Sequence, residues 1–384
     1  MITRLSIALV LAALLALPAE AAVDPSAEAA ALTSLLADYL AADGQTDLAA
    51  SLRSLDPSSA ESRALLESAV GPKIFDFGAK MFGWFEEQAT ASQRGVETRP
   101  WATFESEHFL FAYRPGSVAG RDRALIASAA EDTWVTVGSS FGLATAVEEN
   151  GTLIANRTPD RSAHATTAKI VVTLHPFRSD DTAKRLKGPS LGTTSLGATI
   201  DDTGHGRLTT SIDVLYFNAF SLLVLHHEVA HAVMLLGTFD SGPLRAGPLQ
   251  GESELRKAFL GGYRKLPAFL HEGIGDWALY NRGVYRRWGL LPPAEQLITG
   301  LRRSGEYVAI AKLADEDRRY RHAHHKVYSL EAASFLDWLL ATEGKERVHA
   351  WLMSGNEKGS RAYARTFGKP LAQSEKAWLE SLGK

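Results

Sequence analysis

The residues best suited to chemistry are His227-Glu228-Val229-Ala230-His231, set in an apolar run from Ser221 to Leu236 that Gly237 ends. At about 100° per residue of helix, His227 and His231 fall roughly 40° apart on one face. Two imidazoles can therefore reach one ion, with Glu228 beside them. The competing explanation is a core helix whose polar residues find ordinary hydrogen-bond partners. It has to accommodate a Glu and two His in a helix apolar at nearly every other position, where a buried, unpaired charge costs several kcal/mol. One zinc ion removes that cost, because it binds both neutral imidazoles and its water can hydrogen-bond to Glu228. His226 is five residues from His231 rather than four, so it points off this face and reads as a bystander.

Two histidines are too few, since catalytic zinc takes about three protein ligands plus a water. The chain has no cysteine. Thiol nucleophiles, disulfide scaffolds and Cys-based zinc sites are therefore excluded, and the third ligand must be His or a carboxylate. A Gly-x-x-His continuation after His231 is absent, because position 234 is Met and position 237 is Gly. The strongest candidate is Glu272 in Leu266-Pro-Ala-Phe-Leu-His-Glu-Gly-Ile-Gly-Asp-Trp-Ala-Leu-Tyr280, with Asp276 four residues later on the same helical face. One of the two can ligate while the other orients a histidine. Glu252 and Glu254, among Gly, Ser and Arg neighbours, read as members of a solvated loop, and His271 is a weaker ligand candidate.

The elements that must position these residues follow from periodicity and punctuation. From Asp24 to about Gln93 the chain is Ala- and Leu-rich with helical spacing, broken at Asp43-Gly44, Asp56-Pro57 and Gly71-Pro72, which predicts three or four short helices. Ser58 with Glu61 is a possible capping box. The helix around Ile74–Glu87 carries Phe75, Phe77, Met81, Phe82, Trp84 and Phe85, an aromatic load that calls for burial. Phe109, Phe111 and Tyr113 then give a strand alternation, a helix is expected over about Gly120–Phe141, and Lys169–Leu174 reads as a buried strand. Weaker strand signals lie at Leu196–Ile200 and Thr210–Phe217. Beyond Asn218 the spacing is helical almost to Lys384, interrupted at Gly237–Gly251 and around Pro292-Pro293.

The whole is an α+β chain: 1–21 a leader, 22–95 an N-terminal helical segment, 96–217 an α/β half, and 218–384 a zinc-binding helical half. The leader reading rests on Arg4, the uncharged stretch Leu5–Leu17, Pro18 and small residues around Glu20, with cleavage expected near Ala21. That stretch is shorter than the roughly 18–20 residues a bilayer span requires. No later segment is expected to span a membrane, because the run Phe220–Leu225 stops at His226. The mature chain is thus expected to be exported, to the periplasm or the extracellular space, without stable membrane insertion. Forty-one Lys+Arg against 44 Asp+Glu give a net charge of -3. Composition offers no basis for a nucleic-acid partner.

HExxH followed by a Glu in a Pro-x-x-Leu-x-Glu-Gly setting, with Asp four residues on, resembles the gluzincin branch of the MA-clan zinc metallopeptidases, as in thermolysin-like and peptidase-MA-like families. The segments around Trp101–Phe109 and Lys169–Leu174, and the stretch from Tyr328 through Ser334-Phe-Leu-Asp-Trp-Leu, are similar in order to that domain; residues 22–95 have no counterpart in it. The resemblance implies a thermolysin-like unit whose small sheet abuts the HExxH helix. It implies one zinc held by His227, His231 and Glu272, Asp276 bonded to His227, and Glu228 as general base in hydrolysis of a peptide or protein substrate. It further implies a Tyr or His from the helical half facing the oxyanion. The candidates are Tyr320, His322, His324, His325 and Tyr328, and Tyr328 is preferred because it is expected to open a helix over Ser329–Leu340. Aminopeptidases of this branch carry Gly-x-Met-x-Asn and an amine-gripping acid before the zinc helix; the nearest stretch here, Gly197–Asp201, lacks the Met and the Glu, which favours an endopeptidase or an enzyme with another terminus-independent substrate. The alternatives are a zinc hydrolase of non-peptide amides and a non-catalytic secreted binding module that keeps a structural zinc, the latter disfavoured because such a site has no need of Glu228. Thr210–Phe217 and Leu196–Ile200 are the expected edge strands for an extended substrate.

Overall fold

The computed structural model describes residues 25–55, 61, 74–143, 169–178, 186, 191–200, 204–264, 266–281, 294–305, 307–315, 320–354 and 359–382. The expected leader at 1–21, Ser58 of the capping box and the Pro292-Pro293 break lie outside these residues.

In chain order the elements are helices α1 (Pro25–Ala42), α2 (Thr46–Ser54) and α3 (Ile74–Ser92), strands β1 (Ala102–Glu105) and β2 (Phe109–Tyr113), and helices α4 (Val118–Arg121) and α5 (Arg123–Phe141). Strands β3 (Ile170–His175), β4 (Gly192–Ile200) and β5 (Gly206–Leu215) follow, then helices α6 (Ser221–Thr238), α7 (Gly242–Arg245), α8 (Glu252–Gly262) and α9 (Ala268–Asn281). The later described elements are all helices: α10 (Ala294–Ser304), α11 (Ile310–Asp315), α12 (Tyr320–Glu343), α13 (Lys345–Met353), α14 (Gly359–Phe367) and α15 (Leu371–Ser381). Among the described residues this is an α+β chain with one small sheet.

The sheet order is β1-β2-β3-β5-β4. β2, β3 and β5 run parallel to one another in the middle, and β1 and β4 are antiparallel edges. A parallel strand has helices or chain over both faces, which is why all six residues of β3 are buried and its sequence reads as a continuous apolar run. β4 has an intermittently exposed pattern instead, as an edge strand does. Thr210–Phe217, expected at an edge, is not there. Its counterpart β5 is enclosed between β3 and β4, since it bonds to both. Leu196–Ile200 does belong to an edge, as part of the longer β4.

On one sheet face Phe109, Phe111, Val172, Leu174, Ile212 and Val214 join the buried residues of α5 and α6 in one cluster that runs on to Trp378. α6 therefore lies on the sheet with α5 and α9 beside it. Among the described residues α6 is the one helix long and apolar enough to cross a membrane, contrary to the expectation that no such segment follows the leader; 89% of its apolar window is buried inside the chain, as in the core helix of a folded unit.

Two local expectations change. Glu252 and Glu254 stand in the first turn of a helix rather than in a loop, where carboxylates favour the positive end of the helix dipole. The segment from Tyr320 is helical too, so Tyr328 lies inside α12 and does not open a helix at Ser329. No Gly or Pro interrupts Tyr320–Ser329, so nothing stops the helix from extending backwards.

Candidate metal centre

The chain leaves β5 at Leu215 and turns into α6 within a few residues. Asn218 Oδ1 accepts from the Phe220 amide at 2.9 Å, and Ser221 Oγ accepts from the Phe217 amide at 3.1 Å. These bonds satisfy backbone donors at the turn and fix the entry angle of α6. α6 thereby carries His227, Glu228 and His231 over the sheet. α9 starts after Pro267, whose carbonyl accepts the Leu270 amide at 3.0 Å, and lies alongside α6. Glu272 and Asp276 follow one turn apart on its inward side.

The donor atoms of His227, His231 and Glu272 lie within 4.8 Å of one another, so this group could hold a metal ion. Glu272 Oε2 is 3.5 Å from His227 Nε2 and 3.9 Å from His231 Nε2. Tetrahedral zinc with bonds of about 2.0–2.1 Å spaces its ligand atoms about 3.3 Å apart, so the three donors fit such an ion with small adjustments. Glu272 and His231 are buried, and the His227 side chain is 17% exposed. His227 Nδ1 bonds to Asp276 Oδ1 at 2.9 Å. That bond turns Nε2 toward Glu272 and fixes the tautomer a metal requires. Burial pushes the His227 imidazole down, but its bonds to Asp276 and Glu272 outweigh that and hold its pKa well above the ordinary value. A cation would displace the proton these carboxylates otherwise retain.

Gly275 makes this approach possible. A Cβ there would stand 2.6 Å from His227 Cε1 and 2.7 Å from Nδ1. Only hydrogen fits between the α9 backbone and the ring.

Glu228 is buried beside the three donors. Burial raises its pKa, the His227 charge and the Thr194 hydroxyl lower it, Glu272 and Asp213 raise it, and the outcome is about 6. A carboxylate so placed is a base suited to near-neutral water. Its partner is Thr194 on β4, whose Oγ1 lies 2.7 Å from Glu228 Oε2 and 2.8 Å from the Glu228 carbonyl. Periodicity alone leaves Thr194 inconspicuous; only strand register against α6 brings it here. The segment of β4 adjoining Glu228 is thus Gly192–Thr194, not the Gly197–Asp201 stretch compared above. No residue of β4 is acidic.

Other candidates resolve differently. His226 is buried and bonds through Nδ1 to Thr133 on α5, away from the metal group. His271 stands next to the group, its ring centroid 4.2 Å from that of His231 and its Nδ1 3.9 Å from Glu272 Oε1, without being one of the three donors. Glu254 accepts from the Gln250 amide at 2.7 Å on the exposed start of α8, and neither it nor Glu252 joins the group. Tyr320, His322, His324, His325 and Tyr328 lie on α12, which packs on α9; their side chains are outside those described. A buried pair that the sequence does not announce is His175 with Asp213, 2.9 Å apart on neighbouring strands.

Compared with protein-family models, curated proteins and solved structures, the chain matches none.

Proposed function

We propose that the chain is a secreted zinc-dependent peptidase of the gluzincin kind, with a thermolysin-like catalytic unit, acting within peptide or unfolded protein chains. The observation that carries this reading is the convergence of His227, His231 and Glu272 from two helices, with Asp276 behind one imidazole and the buried Glu228 alongside.

A bound zinc ion supplies a Lewis acid for the scissile carbonyl and brings the pKa of its water toward neutrality. Glu228 takes a proton from the attacking water as the oxygen–carbon bond forms, then delivers it to the leaving nitrogen as the carbon–nitrogen bond breaks. His227, His231 and Glu272 would hold the ion, and Asp276, bonded to His227 Nδ1, would keep that ring oriented for it. Tyr328 is the proposed donor to the developing oxyanion.

The substrate reading rests on β4. Among the described residues its outer edge pairs with no strand, so an extended peptide can add to it through main-chain hydrogen bonds. With no carboxylate on β4 to grip a terminal amine, cleavage should not depend on a free N-terminus. Digestion of an N-acetylated peptide with zinc, with a chelator, and with zinc restored tests this directly. Internal cleavage that the chelator abolishes and zinc restores is expected; cleavage confined to peptides with a free amine would remove the endopeptidase part of the reading.

A further inference from the structure

Glu228 sits under an edge strand, and two features of that strand are shaped to it. The first is space. At Gly192 a Cβ would lie 2.8 Å from Glu228 Cγ, 2.8 Å from Oε1 and 2.5 Å from Val224 Cγ1, closer than real Cβ contacts come. Any side chain at 192 would push the carboxylate off its position. The second is a hydrogen bond: the Thr194 hydroxyl reaches Glu228 Oε2 at 2.7 Å and is also 2.8 Å from the Glu228 carbonyl oxygen. Residues 192 and 194 share one face of the strand because side chains alternate, so the gap and the hydroxyl address the same side chain.

From this juxtaposition we infer that Thr194 is a positioning residue for Glu228: it occupies Oε2, locks the carboxylate rotamer in the space Gly192 leaves, and leaves Oε1 as the oxygen that accepts the proton. The inference deepens the peptidase reading and rests on it. A carboxylate has two nearly equivalent oxygens and three rotatable bonds, and a base that must meet a water within hydrogen-bond reach loses rate when it samples several rotamers. The hydroxyl removes that freedom without entering the cleft chemistry itself. Because no described strand pairs with the outer side of β4, where an extended substrate would add, Thr194 also ties the base to the element that would align the scissile bond.

The test compares Thr194→Val, which keeps the shape and deletes the hydroxyl, with Thr194→Ser, which keeps the hydroxyl, alongside the parent and Glu228→Gln, all full-length and zinc-loaded. Thr194→Val should lower kcat by about 10- to 100-fold with KM within about twofold, and Thr194→Ser should recover most of the loss. Zinc content should be equal in all four. A second readout is independent of turnover: the change in melting temperature from Thr194→Val in the metal-free chain should be at least halved when Glu228 is already Ala. Full kcat in Thr194→Val, a loss that Ser does not recover, or an undiminished melting shift in the Glu228→Ala background would overturn the inference. Failure of the peptidase reading is seen separately, as a parent no more active than Glu228→Gln; the melting cycle then still decides whether Thr194 holds Glu228.

Discussion

At the scale of single residues, the site divides labour among carboxylates by what each touches. Glu272 faces both imidazole Nε2 atoms, Asp276 faces only His227 Nδ1, and Glu254 faces the Gln250 amide just ahead of its own helix, α8. Glu272→Ala should therefore lower zinc affinity sharply, and Asp276→Ala should lower it by about 10- to 100-fold through the orientation of His227. Glu254→Ala should leave affinity unchanged; metal titration of the three variants checks the order, and release of metal by Glu254→Ala alone would contradict the ligand assignment. Tyr328→Phe should cut turnover by about 10- to 1000-fold with zinc content and KM nearly constant, because a phenol donor matters only as charge develops on the oxyanion. Kinetics beside His324→Ala tests it, and a large loss in the histidine variant alone would transfer the role. Helical spacing made it legible that His227 shares a face with His231 and Glu272 with Asp276, while the resemblance assigned Glu272 to the ion and Asp276 to His227. Thr194 and Gly192 were not, because their role depends on which strand segment crosses α6.

At the scale of elements, the contact of α6 with α9 is what brings the ligands together, and Gly275 sets its distance. Gly275→Ala should separate the His227 ring from α9 and reduce zinc binding even though Ala favours the helix over Gly by about 1 kcal/mol, a result visible in the same titration. Sheet order was less legible than strand existence. β5 carries an alternating pattern with Thr and Ser, which suits an edge, yet it returns antiparallel along the preceding β4, which covers that side. The start of α12 was misplaced because a polar His- and Arg-rich stretch resembles a loop by composition, while nothing in it breaks a helix. α12 also carries Glu331, fully buried, with the Val308 amide donating to it at 3.3 Å. Burial and nearby Glu375 raise its pKa from 4.5 to about 8 against that bond. The folded chain therefore keeps a proton that the unfolded chain releases between those two values, so stability falls as pH rises through this window and is highest below it. Glu331→Gln should remove a loss on the order of a few kcal/mol, raising the melting temperature at pH 8 and changing it little at pH 5. Thermal unfolding at the two pH values measures this, and an equal effect at both would refute it.

At the scale of the whole molecule, the N-terminal helices share their core with the unit that carries the candidate metal centre. Phe85 on α3 stacks on Phe220, just ahead of α6, at 5.0 Å, with Trp84 and Tyr39 packed behind it. The aromatic content of residues 74–87 announces burial, but no local pattern names the surface that receives it. Phe85→Ala should cost about 3–5 kcal/mol of stability by leaving a cavity at the entry to α6. Chemical denaturation would show it, and a change below about 1 kcal/mol would mean that α3 contributes little to holding α6. The measurement that reaches the central claim most directly joins metal content to hydrolysis in one pair of proteins, the parent and Glu228→Gln. Both should carry about one zinc per chain, and only the parent should cleave an unfolded protein substrate, because the substitution removes the base and leaves every ligand in place. Equal cleavage by the two, or a zinc-loaded parent that cleaves nothing, would contradict the account.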